Sequence, residues 1–166
     1  MEFDYVVVGA GSAGCAVASR LSQCGNYCVA LVEAGPPDNN PWIHVPVGYF
    51  STMGNPKSDW RYETEPDTGI AGRSIPWPRG RVMGGSSSIN GLLYVRGQPQ
   101  DFDIWSQLGC MGWSWDEVLP YFKRSENWDG IYETGLRGKE GPLSVQSSRL
   151  KRDIVDNWVD AAVAAG

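Results

Sequence analysis

Asp4-Tyr5-Val6-Val7-Val8-Gly9-Ala10-Gly11-Ser12-Ala13-Gly14 is the stretch whose reading decides the fold. Tyr5 to Val8 is an unbroken run of aromatic and β-branched residues, the pattern of a parallel strand covered on both faces, so Phe3 to Val8 is predicted to be a buried strand. Gly9 ends it, and Gly9 to Gly14 satisfies the G-x-G-x-x-G spacing. Cys15 to Gln23 continues as a helix, with Ala16, Val17, Ala18 and Leu21 available for packing. A second strand over Tyr27 to Val32 ends in Glu33, close to the offset of roughly 20 residues at which a carboxylate meets an adenosine ribose.

Each glycine has its own physical reason. Gly9 permits the tight turn, Gly11 lets the backbone approach a pyrophosphate, and Gly14 lets helix and strand pack closely. The helix start, with Ser12 and Ala13, offers free N–H groups and a partial positive charge. The competing reading is a tight turn in an unrelated α/β protein, which leaves Glu33 without a role. Residues 1–35 are therefore predicted to form a dinucleotide-binding βαβ unit in an α/β, Rossmann-like domain.

Composition limits what surrounds this unit. The chain has 166 residues, 42% of them hydrophobic, which suits one soluble globular domain. A formal net charge of −5 argues against a nucleic-acid partner or a polybasic membrane anchor. The four cysteines, Cys15, Cys24, Cys28 and Cys110, have no metal-site spacing and read as reduced packing residues; no metal is expected. No apolar run approaches the roughly 20 residues that span a bilayer, and the first residues lack a signal-peptide pattern. A cytoplasmic protein is expected, with room for peripheral contact at the inner membrane.

Beyond Glu33, Ala34-Gly35-Pro36-Pro37-Asp38-Asn39-Asn40-Pro41 must leave the sheet as a loop. Residues 36–79 read as a long excursion, or lid region, of short elements. Its aromatic residues between Trp42 and Trp77 are expected to pack as a satellite core over the nucleotide domain. His44 lies in a proline-rich stretch without a serine-aspartate or metal-ligand arrangement, and reads as a packed or solvent-linked histidine outside any site.

A second glycine-rich stretch follows: Arg79-Gly80-Arg81-Val82-Met83-Gly84-Gly85-Ser86-Ser87-Ser88-Ile89-Asn90, then Gly91-Leu92-Leu93-Tyr94-Val95-Arg96-Gly97 and Asp103. Glycines that admit close backbone, hydroxyl residues suited to a helix start and flanking arginines make it a candidate for wrapping an anionic cofactor. It closely resembles the first signature of the glucose-methanol-choline (GMC) oxidoreductases. Glu33-Ala34-Gly35, Trp77-Pro78-Arg79-Gly80, Gly112-Trp113 to Tyr121-Phe122 and Gly141-Pro142-Leu143 resemble that family in the same order. The resemblance covers essentially the whole chain and is strongest to bacterial alcohol and choline dehydrogenase-like members.

The resemblance implies a tightly held FAD. It places Gly9, Gly11, Ser12, Ala13 and Gly14 at the pyrophosphate and Glu33 with Ala34 at the ribose. It runs Val82, Gly84, Gly85, Asn90, Gly91, Leu92 and Leu93 along the pyrophosphate and isoalloxazine. Backbone donors and a few polar anchors within apolar walls are what a buried flavin needs. Some members attach FAD through a histidine just before the motif asparagine; Ile89 stands there, so the FAD is expected to be non-covalent.

In the remaining sequence, residues 80–100 form the second FAD-contacting motif, and residues 101–166 form a helical segment and the start of an α+β substrate domain. Asp101 to Gln107 is predicted as a short helix, with Asp101 and Asp103 favoured at a helix start. Ser114 and Glu117 signal a capping box for a helix that then meets Pro120. Trp105, Trp113, Trp115 and Trp128 read as packing residues, not a substrate cage. Trp128 to Gly141 reads as loop, Leu143 to Gln146 as a short strand, and Lys151 to Ala165 as an amphipathic helix.

Two core strands do not complete a doubly wound sheet, so the nucleotide domain is expected to be incomplete at Gly166. The family resemblance puts the histidine that takes the alcohol proton late in the chain, and no catalytic residue is assigned within these 166 residues. The sequence thus predicts the FAD-binding portion of an enzyme acting on CH–OH groups, with an alcohol substrate and a quinone or O2 as acceptor. The alternative is a catalytically silent flavin-binding or interaction fragment, or one half of a split protein.

Overall fold

The strand, turn, helix and strand form in the predicted order. In the computed structural model, β1 (Tyr5–Val8) and β2 (Val29–Val32) pair in parallel, with Tyr5 opposite Val29 and Val8 opposite Val32, and α1 (Ser12–Ser22) makes the crossover. The structure describes residues 2–130, 135–148 and 151–166, and it divides into two units, Met1–Leu93 and Tyr94–Gly166. α1 begins at Ser12, ahead of the expected Cys15, because Gly11 is an extended N-cap and the second half of the glycine pattern is itself the first turn. The Asp4 carboxylate accepts from the Cys28 N–H at 2.7 Å, tying the starts of the two strands together.

Gly14 explains how α1 lies so close to the turn, since a Cβ there would sit 1.9 Å from the Gly9 carbonyl oxygen. Ala18 is buried on the helix, but Val17 is half exposed and Val8 is 83% exposed. The predicted double-sided burial of β1 is therefore not met. Two strands and one helix offer too little apolar surface to cover both faces of a sheet, whatever the strand's composition.

The excursion carries short elements only: single 3-10 turns, α2 (Tyr49–Thr52), and an antiparallel pair of β3 (Tyr62–Glu63) with β4 (Pro76–Trp77). Its inside differs from the satellite core that the aromatics suggest. Trp42, Phe50, Trp60, Tyr62 and Trp77 are exposed, while Thr52, Ser58 and Asp59 are buried. Hydrogen bonds organise this interior, with the Ser58 hydroxyl donating to the Thr52 carbonyl at 3.0 Å and the Thr52 hydroxyl to that of Tyr49 at 3.3 Å. Chain this short between turns satisfies its backbone polar groups first and has no broad apolar face to offer the rings.

In the second unit, α3 (Pro99–Gln107) and α4 (Trp115–Ser125) pack through their aromatic residues. Phe102, buried, meets Trp105 at 5.5 Å, Trp115 at 5.6 Å and Phe122 at 5.6 Å between ring centroids, so these tryptophans are packing residues as the sequence indicates. Both helix starts are capped: the Gln98 N–H donates to the Asp101 carboxylate at 2.8 Å, and the Ser114 N–H to that of Glu117 at 3.0 Å. The Ser114 hydroxyl, and then its N–H, hold the Glu117 carboxyl below its ordinary pKa. Asp103 accepts from the Trp115 N–H at 3.0 Å and so links the two helices.

α4 does not stop at Pro120 but runs through it to Ser125. Proline deprives the helix of one backbone bond there, and the capping box with the Phe122 contacts outweighs that loss. β5 (Glu126–Trp128), which overlaps the stretch expected to be loop only at Trp128, pairs in parallel with β6 (Leu143–Val145), the strand expected over Leu143 to Gln146; residues 131–134 of that loop lie outside the described residues. Glu126 is fully buried between two guanidiniums, at 2.5 Å from Arg96 and 2.8 Å from Arg137, and also accepts the Gly138 N–H at 2.9 Å. The last helix, α5 (Asp153–Ala165), forms as predicted, but Ile154, Val155, Trp158, Val159 and Val163 are all exposed along it.

Candidate functional site: two glycine segments in one groove

The two glycine-rich stretches meet backbone against backbone. Gly84 N–H donates to the Ala10 carbonyl at 2.8 Å, and a Cβ built on Gly85 would lie 2.8 Å from the Gly11 Cα. Gly84 and Gly85 have φ values of +90° and +59°, a region L-residues avoid, which lets the chain reverse into the short 3-10 turn Gly85–Ser88. Around the junction other close approaches repeat the logic. A Cβ on Gly80 would sit 2.0 Å from the Gly85 carbonyl oxygen, and one on Gly35 would sit 2.1 Å from the Arg81 carbonyl carbon. The residues are glycine because the backbone occupies the space a side chain would need.

Glu33 completes the constellation. Its carboxylate accepts from the Ala10 N–H at 2.8 Å and from the Gly35 N–H at 2.9 Å, which pins the end of β2 to the glycine turn. Each carboxylate oxygen retains acceptor capacity for a hydroxyl. Beside it, a groove of about 540 Å³ is lined by Gly9, Gly11, Glu33, Ala34 and Gly85, together with Trp60 and others. A Cβ on Gly9 would meet nothing within 4 Å, so the turn faces open space where a ligand can approach the backbone. The first turn of α1 points unpaired N–H groups and a partial positive charge from the Ser12 to Gly14 end. Open glycine backbone, anion-favouring donors and a hydroxyl-accepting carboxylate together fit the pyrophosphate and ribose of a dinucleotide.

The predicted residues do not all fall in this groove. Gly9, Gly11, Glu33, Ala34 and Gly85 line it, Ser12, Ala13 and Gly14 form the adjoining helix turn, and Gly84 is at the junction. Val82 is buried beneath, 1% exposed, and Ile89 is buried at 3%. Asn90 accepts the Leu92 N–H at 2.9 Å within its own loop, and with Gly91, Leu92 and Leu93 it lies outside the groove lining; Leu93 is 88% exposed. Leu92 has φ +61°, an unusual backbone conformation for a leucine.

Sequence reasoning missed Trp60 and Tyr62 as groove-lining residues, while Ser86 of the second glycine stretch does line the groove. The signal was two aromatic residues at i and i+2, Trp60 and Tyr62, with Arg61 at φ +55° between them. They stack at 6.0 Å with planes 3° apart. The flanking arginines also turn out differently placed: Arg79 lines the groove with its guanidinium over Trp77 at 5.4 Å, whereas Arg81 lies over Trp60 at 5.3 Å. Ser86 accepts the Gly80 N–H at 3.1 Å, and Ser87 and Ser88 donate to the Gly84 and Met83 carbonyls, so these hydroxyls brace the loop itself.

His44 and the cysteines stand apart from the groove lining. His44 is exposed, with its ring nitrogen 2.7 Å from the Asp38 carbonyl oxygen. All four cysteines are free and exposed, which corrects their reading as packing residues; Cys15 remains anchored by a contact from its Sγ to the Ala10 carbonyl at 3.2 Å. Among the described residues no cluster could hold a metal ion and no helix is long and apolar enough to cross a membrane.

The chain belongs to the GMC oxidoreductase family, which it matches over residues 3–166. It is 48% identical, over all of its length, to an oxygen-dependent choline dehydrogenase of Brucella anthropi, and 49% identical over 99% of its length to one from Vibrio vulnificus. It spans 30% of each of those relatives. Among solved structures it resembles pyridoxine 4-oxidase from Mesorbium loti, with a TM-score of 0.91 and 37% identity over 99% of this chain and 32% of that one. An FAD-dependent oxidoreductase from Chaetomium thermophilum gives a TM-score of 0.84 at 28% identity, over 99% of this chain and 30% of that one. The incomplete Rossmann-like unit is thus the N-terminal portion of a GMC fold.

Proposed function

We propose that this chain is the FAD-binding portion of an oxidoreductase that removes hydride from the CH–OH carbon of an alcohol. The observation that carries the reading is the junction of Gly11 with Gly85 beside Glu33, because it brings both glycine segments to one open groove. When bound, FAD supplies a hydride acceptor at its N5. The chain's own work is to bind and orient. The α1 start favours the pyrophosphate, Glu33 accepts ribose hydroxyls, and the loop from Val82 to Leu93 extends the contact towards the flavin ring. Residues 1–35 and 80–100 supply these contacts, with 36–79 as the excursion between them and 101–166 as the start of the substrate domain.

Ile89 stands where some members of the family carry a flavin-linking histidine, which supports a non-covalent FAD. The alcohol is taken to be small, and the relatives named choline dehydrogenase make choline the first to test, with O2 or a quinone as the electron acceptor. Titrating the full chain with FAD, NAD and ADP while following flavin and tryptophan fluorescence tests the binding half. Saturable binding that favours FAD over NAD is expected, and absence of FAD binding overturns the proposal. Anaerobic addition of choline or other small alcohols tests the chemistry: bleaching of the flavin absorbance near 450 nm, on the order of one equivalent per site, is the expected result. FAD binding with no alcohol able to bleach it identifies a silent flavin-binding module instead.

A further inference from the structure

Asp59 is 2% exposed, and its two oxygens accept three backbone N–H groups. Oδ2 accepts the Gly54 N–H at 2.7 Å, and Oδ1 accepts those of Arg61 at 2.8 Å and Arg79 at 3.0 Å. Those three donors come from separate places: the turn after α2, the approach to β3 and the entrance to the second glycine segment. Arg61 has φ +55°, so the carboxylate holds a non-glycine residue in a conformation that ordinarily favours glycine.

The attachment continues into the groove. Asp59 and Gly80 form an antiparallel bridge, Trp60 N–H donates to the Arg79 carbonyl at 2.9 Å and Arg81 N–H to that of Ser58 at 2.8 Å. Gly80 then approaches Gly85 so closely that a Cβ would lie 2.0 Å from its carbonyl oxygen, and Gly85 in turn abuts Gly11. Burial pushes the Asp59 pKa up, but the donors at Arg61, Gly54 and Arg79, with the Arg61 charge, outweigh it and hold the carboxyl below its ordinary 3.8. The group is ionised where the protein works, and its hydrogen bonds are of the charge-assisted kind.

We infer that Asp59 is a positioning residue for the cofactor groove, setting the second glycine segment at the height where Gly85 meets the Gly9 to Gly14 turn. This rests on the reading of the groove as an FAD site. Asp59 does not line the groove, so it acts through Arg79 and Gly80 and not by touching the ligand. The donor set also ranks its variants. Asn keeps an oxygen for Arg61 and Arg79 but turns an amide NH2 towards the Gly54 N–H. Ala leaves all three buried donors unpaired.

The test is FAD affinity of the full chain for the native protein, D59N and D59A, measured by flavin fluorescence titration beside the thermal melt of each apoprotein. The expected order is native tightest, D59N weaker by about 5-fold, and D59A weaker by about 50-fold or more. T52A, which removes a buried hydroxyl from the same excursion without touching Arg79, serves as the control and is expected to lower the melt while leaving the affinity within about 2-fold. D59N and D59A proteins that remain folded and bind FAD as tightly as native overturn the inference, as does a T52A affinity loss equal to that of D59A at matched melting temperature. If D59A fails to fold, D59N against T52A decides in the same way. Failure of the native chain to bind FAD contradicts the site reading itself, a result distinct from either.

Discussion

The glycine junction of the first unit and the aromatic and ionic cluster of the second are held together by opposite means. At the junction, Gly14, Gly35, Gly80 and Gly85 let backbone press on backbone, so specificity comes from side chains that are absent. In the second unit Phe102, Trp105, Trp115 and Phe122 fill space with large rings, and Glu126 binds Arg96 and Arg137 in a buried pair of ion contacts. The first arrangement leaves an open groove beside its carboxylate Glu33; in the second, the carboxylate of Glu126 is buried among its own unit's donors. A surface of free N–H groups and one accessible carboxylate with spare lone pairs can receive a guest, whereas a carboxylate fully buried between two guanidiniums and an amide is out of a ligand's reach.

Breaking the second unit should have the larger effect on stability. Glu126→Ala leaves two guanidiniums unpaired, one of them nine-tenths buried, and is expected to cost about 3–5 kcal/mol in chemical denaturation of the full chain. Next comes the junction, where Gly14→Ala forces a Cβ to 1.9 Å from the Gly9 carbonyl oxygen. A cost of about 3 kcal/mol, read as an FAD affinity about 100-fold weaker by fluorescence titration, is expected. Glu33→Gln keeps the side chain's shape but removes the charge and one acceptor facing the Ala10 and Gly35 N–H groups. A weakening of FAD by about 10-fold, with little change in the melt, is the expected outcome.

The smallest effect is that of pH. Asp59 has a depressed folded-state pKa, so its contribution is fully present above the ordinary value of 3.8 and disappears as pH falls towards the lower folded value. FAD retention followed by gel filtration should therefore be insensitive to this group from neutrality down to about pH 4 and decline below it. The D59N protein should lose the Asp59 part of that acid dependence.

Much of the fold was legible because its devices are local. Tyr5 to Gly14 and Glu33 specify strand, turn and acid within one short span, and Ser114 with Glu117 announces a helix start that the structure shows capped. The GMC family membership was legible for the same reason, since its motifs are contiguous stretches. What escaped was set by long-range partners. Asp59 looks like any loop aspartate until Arg79 is folded against it, and Trp60 and Tyr62 look like core aromatics until β3 pairs with β4 at the groove. The exposed faces of β1 and α5 have the same explanation: apolar patterning states what a face prefers, not whether enough chain is packed there to cover it.

The most direct test of the central claim is the flavin content of the purified full chain before and after denaturation. The protein is saturated with FAD, freed of excess, precipitated with acid, and the flavin in supernatant and pellet is quantified. About one FAD per chain is expected, all of it in the supernatant. Protein that retains no flavin contradicts the groove formed by Gly11, Glu33 and Gly85, and flavin that stays with the pellet contradicts the non-covalent attachment implied by Ile89.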